Sequence, residues 1–151
     1  MVPLADEVQA TTVVRRDLTL DLALRMIDGA AQEATRRDVA MGLAVVDTGG
    51  RVVATARMDG AQLIAVDLAT DKAYTAVALG APTEAWAEST QPGGSDWGLS
   101  TTLGGRLVVF AGGLPVKVDG QVVGAIGVSG SAATVDRACA VAGLASVGLQ
   151  E

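Results

Sequence analysis

The chain contains no histidine. That removes imidazole as a general base, a nucleophile activator and a metal ligand, and with it the Ser-His-Asp class of hydrolases. There is one cysteine, Cys139, so no intrachain disulfide forms. Aromatic residues are confined to Tyr74, Trp86, Trp97 and Phe110, too few for a base-stacking nucleic-acid platform. Basic charge is also scarce. Eleven Lys and Arg stand against seventeen Asp and Glu, a formal charge of −6, which argues against nucleic acid as a partner. No long uncharged apolar stretch reads as a membrane span. The opening MVPLADEVQATTVVRR lacks the basic head and apolar run of a secretory signal, so the cytoplasm is the expected compartment.

What the chain has instead is small and apolar. Half of its residues are hydrophobic, mostly Ala, Val and Leu, and nineteen are glycine. This composition predicts close backbone packing with few bulky side chains. It also suits helices that approach one another, and so a homo-oligomer. A length of 151 residues fits one domain with a real core. Two basic pairs, Arg15 with Arg16 and Arg36 with Arg37, read as solvated surface. Cys139 lies in an Ala/Val-rich helical stretch and reads as a buried, inert thiol.

Along the chain, residues 1–17 read as an arm or edge element and 18–151 as the domain. Thr19 is placed to cap a helix whose apolar residues Leu20, Leu24, Ile27, Ala31 and Ala34 recur at helical spacing. Two apolar runs, near 40–46 and 51–57, flank DTGG and predict a hairpin, with Asp47 as a turn acid. Residues 62–79 return to helical period, and a short helix follows Pro82. Residues 90–106 form the longest irregular stretch, the kind of connection that often binds ligands. The run LVVFAGGLPVKVDGQVVGAIGVSG, 107–130, predicts three strands, with a turn at Asp119 and Gly120. Ser131 or Thr134 is placed to open a last helix through Cys139 and Leu144. The expectation is therefore an α+β domain with a largely antiparallel, five-stranded sheet flanked by helices. QVVGAIGVSG matches neither GxGxxG nor GxxxxGK[ST], so its glycines serve close approach in a strand rather than a phosphate loop.

Three segments in order, LAVVDTGGRVVATARMDGA (43–61), DKAYTAVALGAPT (71–83) and GGLPVKVDGQVVGAIGVSGSAATVDRACAVAG (112–143), resemble the GlcG/HbpS-like family, also called DUF336 or the haem-degrading-domain family. The resemblance covers nearly the whole chain after the arm. It implies an antiparallel sheet with flanking helices, commonly assembled into oligomers. It also implies haem as one cofactor to consider. With no histidine, an axial ligand would have to be a weaker oxygen donor such as threonine.

Lys72 is the first candidate for chemistry. Its helical neighbours are Ala65, Leu68, Ala69, Ala76 and Leu79, so a cation stands in an apolar stripe. Burial there favours the neutral amine, suited to proton transfer or to attack on a carbonyl. The same amine could anchor a carboxylate, or simply pair with an acid as a structural lysine. Arg106, closing the long loop, is a candidate carboxylate clamp. Tyr74 is a third catalytic candidate, although it shares a polar stripe with Asp67 and Asp71 rather than with Lys72. Trp97, Gly127 and Ser129 complete the candidate ligand set, while Trp86, Glu84 and Glu88 have both structural and site readings. No compact acidic, thiol or imidazole motif suggests a metal. Three functions fit this inventory. One is a binder of a carboxylated or aromatic small molecule such as haem. Another is an isomerase or lyase acting on a small oxygenated metabolite, with Lys72 moving a proton and Arg106 holding charge. The third is a structural or regulatory oligomer without a chemical site.

Overall fold

The computed structural model describes residues 5–151, beginning with a short helix α1 (Ala5–Ala10). The first four residues of the expected arm lie outside the described residues. The rest of the arm runs without regular structure to Leu18, whose amide donates to the Val123 carbonyl at 3.0 Å. Helix α2 (Leu20–Arg36) then begins under its Thr19 cap, the hydroxyl accepting from the Leu22 amide at 3.2 Å.

Strands β1 (Gly42–Val46) and β2 (Val52–Arg57) form the first hairpin. Asp47 shapes its turn by accepting from the Gly49 and Arg51 amides, each at 2.9 Å. Helix α3 (Ala65–Leu79) follows and ends on Gly80 in the left-handed region. The short helix after Pro82 is a single 3-10 turn, Thr83–Trp86, and the long connection carries two more, Leu99–Thr101 and Leu103–Gly105. Strands β3 (Gly113–Val118) and β4 (Gln121–Ser129) make the second hairpin around Asp119 and Gly120, both at positive φ. Helix α4 (Ala133–Ala145) closes the fold.

The sheet has four strands, not five, in the order β2-β1-β4-β3 with every neighbour antiparallel. The missing strand is LVVF, residues 107–110. Its backbone groups are taken by hydroxyls instead of by a partner strand. The Val108 amide donates to Thr75 Oγ1 at 3.0 Å, and the Phe110 carbonyl accepts from Thr83 Oγ1 at 2.6 Å. Leu107 and Val108 are buried, which is why the run imitates a strand in sequence. Neither expected cap opens α4. Ala132 holds the cap position without a side-chain bond, and the Ser131 amide donates to Asp136 Oδ1 at 3.0 Å.

The two faces of the sheet bury different residues, as the period of two requires. Leu43, Val45, Leu114, Val116, Ile126 and Val128 pack with Met26, Ile27, Cys139 and Leu144 from α2 and α4. Full burial of one such Leu or Ile stabilises by roughly 1.5–3 kcal/mol. The other face is made of small residues, with Val46 and Ala125 meeting Ala73 and Ala76 of α3. Glycine lets α3 lie directly on the backbone. A Cβ added at Gly42, Gly113 or Gly127 would overlap main-chain atoms of Ala65, Lys72 or Ala69 respectively. This face gains from dispersion at short range rather than from bulk.

Candidate functional site

Helix α3 carries the candidate chemistry on two opposed faces. Lys72 and Tyr74 are two residues apart, about 200° around the helix axis. Lys72 points into the protein and is fully buried. Its Nζ donates to Asp136 Oδ2 at 2.6 Å and to the Val128 carbonyl at 3.1 Å. The Phe110 ring lies over the amine, 4.9 Å from Nζ to the ring centroid. Gly112, at φ +129°, closes the cover. A Cβ there would come 2.7 Å from Nζ, so only glycine permits the backbone to pass this close. Burial pushes the Lys72 pKa below its usual 10.5, while the hydrogen bond and charge of Asp136 pull it back up. The result is an enclosed ion pair with no path to a ligand unless residues 110–112 move.

The outer face of α3 is assembled differently. Arg106 comes back from the long connection and stacks on Tyr74, its guanidinium carbon 3.6 Å from the ring centroid. Arg106 Nε meets Asp71 Oδ1 at 3.3 Å. Beneath, the Tyr74 ring rests on Gly50 of the first hairpin turn, where a Cβ would lie 2.6 Å from the ring edge. About a third of the Arg106 side chain remains exposed, at 37 %. Neither terminal nitrogen of its guanidinium has a hydrogen-bond partner among the described residues. Asp71 and Tyr74 thus hold the stem and plane of a cation whose two terminal nitrogens are left unpartnered among the described residues.

The structure therefore joins Arg106 to Tyr74 and separates both from Lys72. Trp97 is on the surface, 69 % exposed. Gly127 sits under α3 and serves helix contact. Ser129 is buried at the end of β4, next to the carbonyl that holds Lys72. Glu84 pairs with Arg137 Nε at 2.5 Å, and Arg137 also meets Glu151. The other carboxylate oxygen of Glu84 and the indole nitrogen of Trp86 are buried without a partner among the described residues.

Sequence reasoning missed Asp136. The signal was present, because Asp136 has Ala132, Ala133, Cys139 and Ala140 at helical spacing, an anion in an apolar stripe that mirrors Lys72.

An antiparallel α+β sheet with an enclosed Lys–Asp pair on one side of a helix and a stacked arginine on the other defines the class of this domain. The family model "Haem degrading protein HbpS-like" matches residues 18–145. A 15.0 kDa protein from the dhaT-dhaS intergenic region of Citrobacter freundii is 40% identical over 120 residues, covering 80% of this chain and 84% of that protein. The crystal structure of Klebsiella pneumoniae ORFY, of DUF336, superposes with a TM-score of 0.90 at 35% identity, covering 93% of this chain and 97% of that one. The crystal structure of a PduOC:heme complex gives 0.84 at 31% identity, covering 87% and 96%. The chain belongs to the GlcG/HbpS-like family.

That family makes haem the cofactor to test against these residues. Met26, Met41 and Cys139 are buried in the core. The Met58 sulfur accepts from the Met41 amide at 3.4 Å. The Tyr74 ring is covered by Arg106. With no histidine in the chain, the described residues do not fit an imidazole- or sulfur-ligated iron. They do fit a carboxylate, through Arg106.

Proposed function

We propose that the chain binds a small molecule that carries a carboxylate beside a flat or apolar body, with Arg106 as the anchor. The observation that carries this reading is the preset guanidinium. Stacking on Tyr74 and the bond to Asp71 fix its plane before a ligand arrives, so little side-chain entropy is lost on binding. A carboxylate then accepts two parallel hydrogen bonds from the terminal nitrogens. Lys72 and Asp136 hold α3 against β4 and α4, and thereby the anchor in place. The family's haem-associated members supply a carboxylated ring compound as the first probe.

The test is a fluorescence titration of the purified chain with metal-free protoporphyrin IX. Saturable binding is expected, weakened by about three- to tenfold in Arg106→Gln. Haem is expected to bind no more tightly than the metal-free ring, because the anchor reads carboxylate and not iron. Equal affinities for Arg106→Gln and the unaltered chain would sink the proposal.

A further inference from the structure

A groove of about 370 Å³ lies between the arm, the first hairpin turn, α3 and the start of β4. Val14, Val77 and Val122 give it an apolar strip, and Arg15, Arg16, Thr48 and Gln121 give it a polar one. Two links join it to the anchor. Thr48 lines the groove, while Gly50, two residues along the same turn, touches the Tyr74 ring. Val77 lines the groove and follows Tyr74 on α3 by three residues, about 4.5 Å of helical rise.

The charges of the groove differ from those of the chain as a whole. In a protein of net charge −6, two adjacent arginines stand beside a strip of three valines. Arg15 has no ion pair or hydrogen bond among the described residues. Arg16 meets Asp119 at 2.8 Å, but both side chains are largely exposed, and an exposed pair of this kind exchanges readily for another carboxylate. The nearby Asp17 is already engaged by the Thr48 amide and hydroxyl, both at 3.1 Å, and so is tied into the turn.

Resting on the Arg106 reading, we infer that the same ligand continues into this groove and ends in a second acidic group, held by Arg15 and Arg16. The class is then a dianion with an apolar middle. The first carboxylate lies on Arg106, the apolar body passes the edge of Tyr74 and Val77, and the second acid meets the arm. Such a ligand must span more than one helical turn, which excludes the shortest dicarboxylates.

Calorimetry with nonanedioate and nonanoate, acids of equal chain length and unequal charge, tests this. The full chain is compared with Arg106→Gln and with Arg15→Gln/Arg16→Gln. Arg15 and Arg16 are exposed and Arg106 is half-buried, so the thermal midpoint of each variant is measured alongside to verify folding. Nonanedioate is expected to bind about tenfold more tightly than nonanoate, and the arm variant to abolish that preference while leaving nonanoate unchanged. Equal binding of the two acids overturns the two-ended ligand. Loss of affinity in Arg106→Gln alone overturns the groove and keeps the anchor. Loss in the arm variant alone overturns the anchor, and with it a ligand that spans both. No heat with either acid up to millimolar concentration overturns both assignments.

Discussion

Removing Asp136 should destabilise this fold more than removing any single ligand-facing charge. In Asp136→Ala the Lys72 amine keeps only the Val128 carbonyl at 3.1 Å and the face of Phe110, and it remains sealed under Gly112. Breaking one side of a buried pair costs about 3–5 kcal/mol. The Ser131 amide also loses its acceptor, which costs about 1 kcal/mol more if water reaches it. With a urea slope of about 2 kcal/mol/M, the unfolding midpoint should fall by about 2–3 M. The double variant Lys72→Met/Asp136→Leu removes both charges and should recover most of that loss, because an apolar pair of similar volume avoids the desolvation cost. The pH dependence gives a second readout. Burial holds the folded Lys72 below the 10.5 of the unfolded chain, so between the folded value and 10.5 the unfolded state binds the extra proton and stability rises with pH. Without Asp136 to pull the amine back up, the folded value drops further and the rise should extend to lower pH, measured below pH 9.0 where Cys139 does not interfere. A midpoint shift under about 0.5 M, or a double variant no more stable than Asp136→Ala, would refute the reasoning.

Two further outcomes follow from the packing. Gly127→Ala places a methyl group against the Ala69 carbonyl and should cost about 1–3 kcal/mol or more by forcing α3 off β4; an unchanged thermal midpoint would show that the helix is not seated as described. Burial pushes the Cys139 thiol up to about 11 from 9.0, so the unfolded chain loses this proton first and stability falls as pH rises between those values. The slope approaches about 1.4 kcal/mol per pH unit at most, and Cys139→Ala should remove it. An identical alkaline slope in that variant would count against a buried thiol.

The local devices of this fold were legible residue by residue. The Thr19 cap, the DTGG turn and the turn at Asp119 and Gly120 depend on neighbours within a few positions. The strand count failed because residues 107–110 have the composition of a strand but satisfy their backbone on Thr75 and Thr83, and nothing local distinguishes the two arrangements. The site was half legible. The isolation of Lys72 in an apolar stripe was visible, but its partner lies 64 positions away on another helix. The stripe of Asp71 and Tyr74 was likewise visible, while the arrival of Arg106 above it depends on how the long connection folds back.

The glycine seat under α3 has a mechanical consequence. A helix spaced from a sheet by long side chains can roll as rotamers change. Here Gly42, Gly127 and Gly113 on three different strands admit α3 main chain at three successive points, like a shaft held by a key. Rolling by a single residue would drive side chains into the sheet. The inner and outer faces of α3 therefore cannot trade places or drift independently. Any accommodation to a guest must come from the connection between residues 80 and 112 or from the arm, while the rail beneath keeps its bearing.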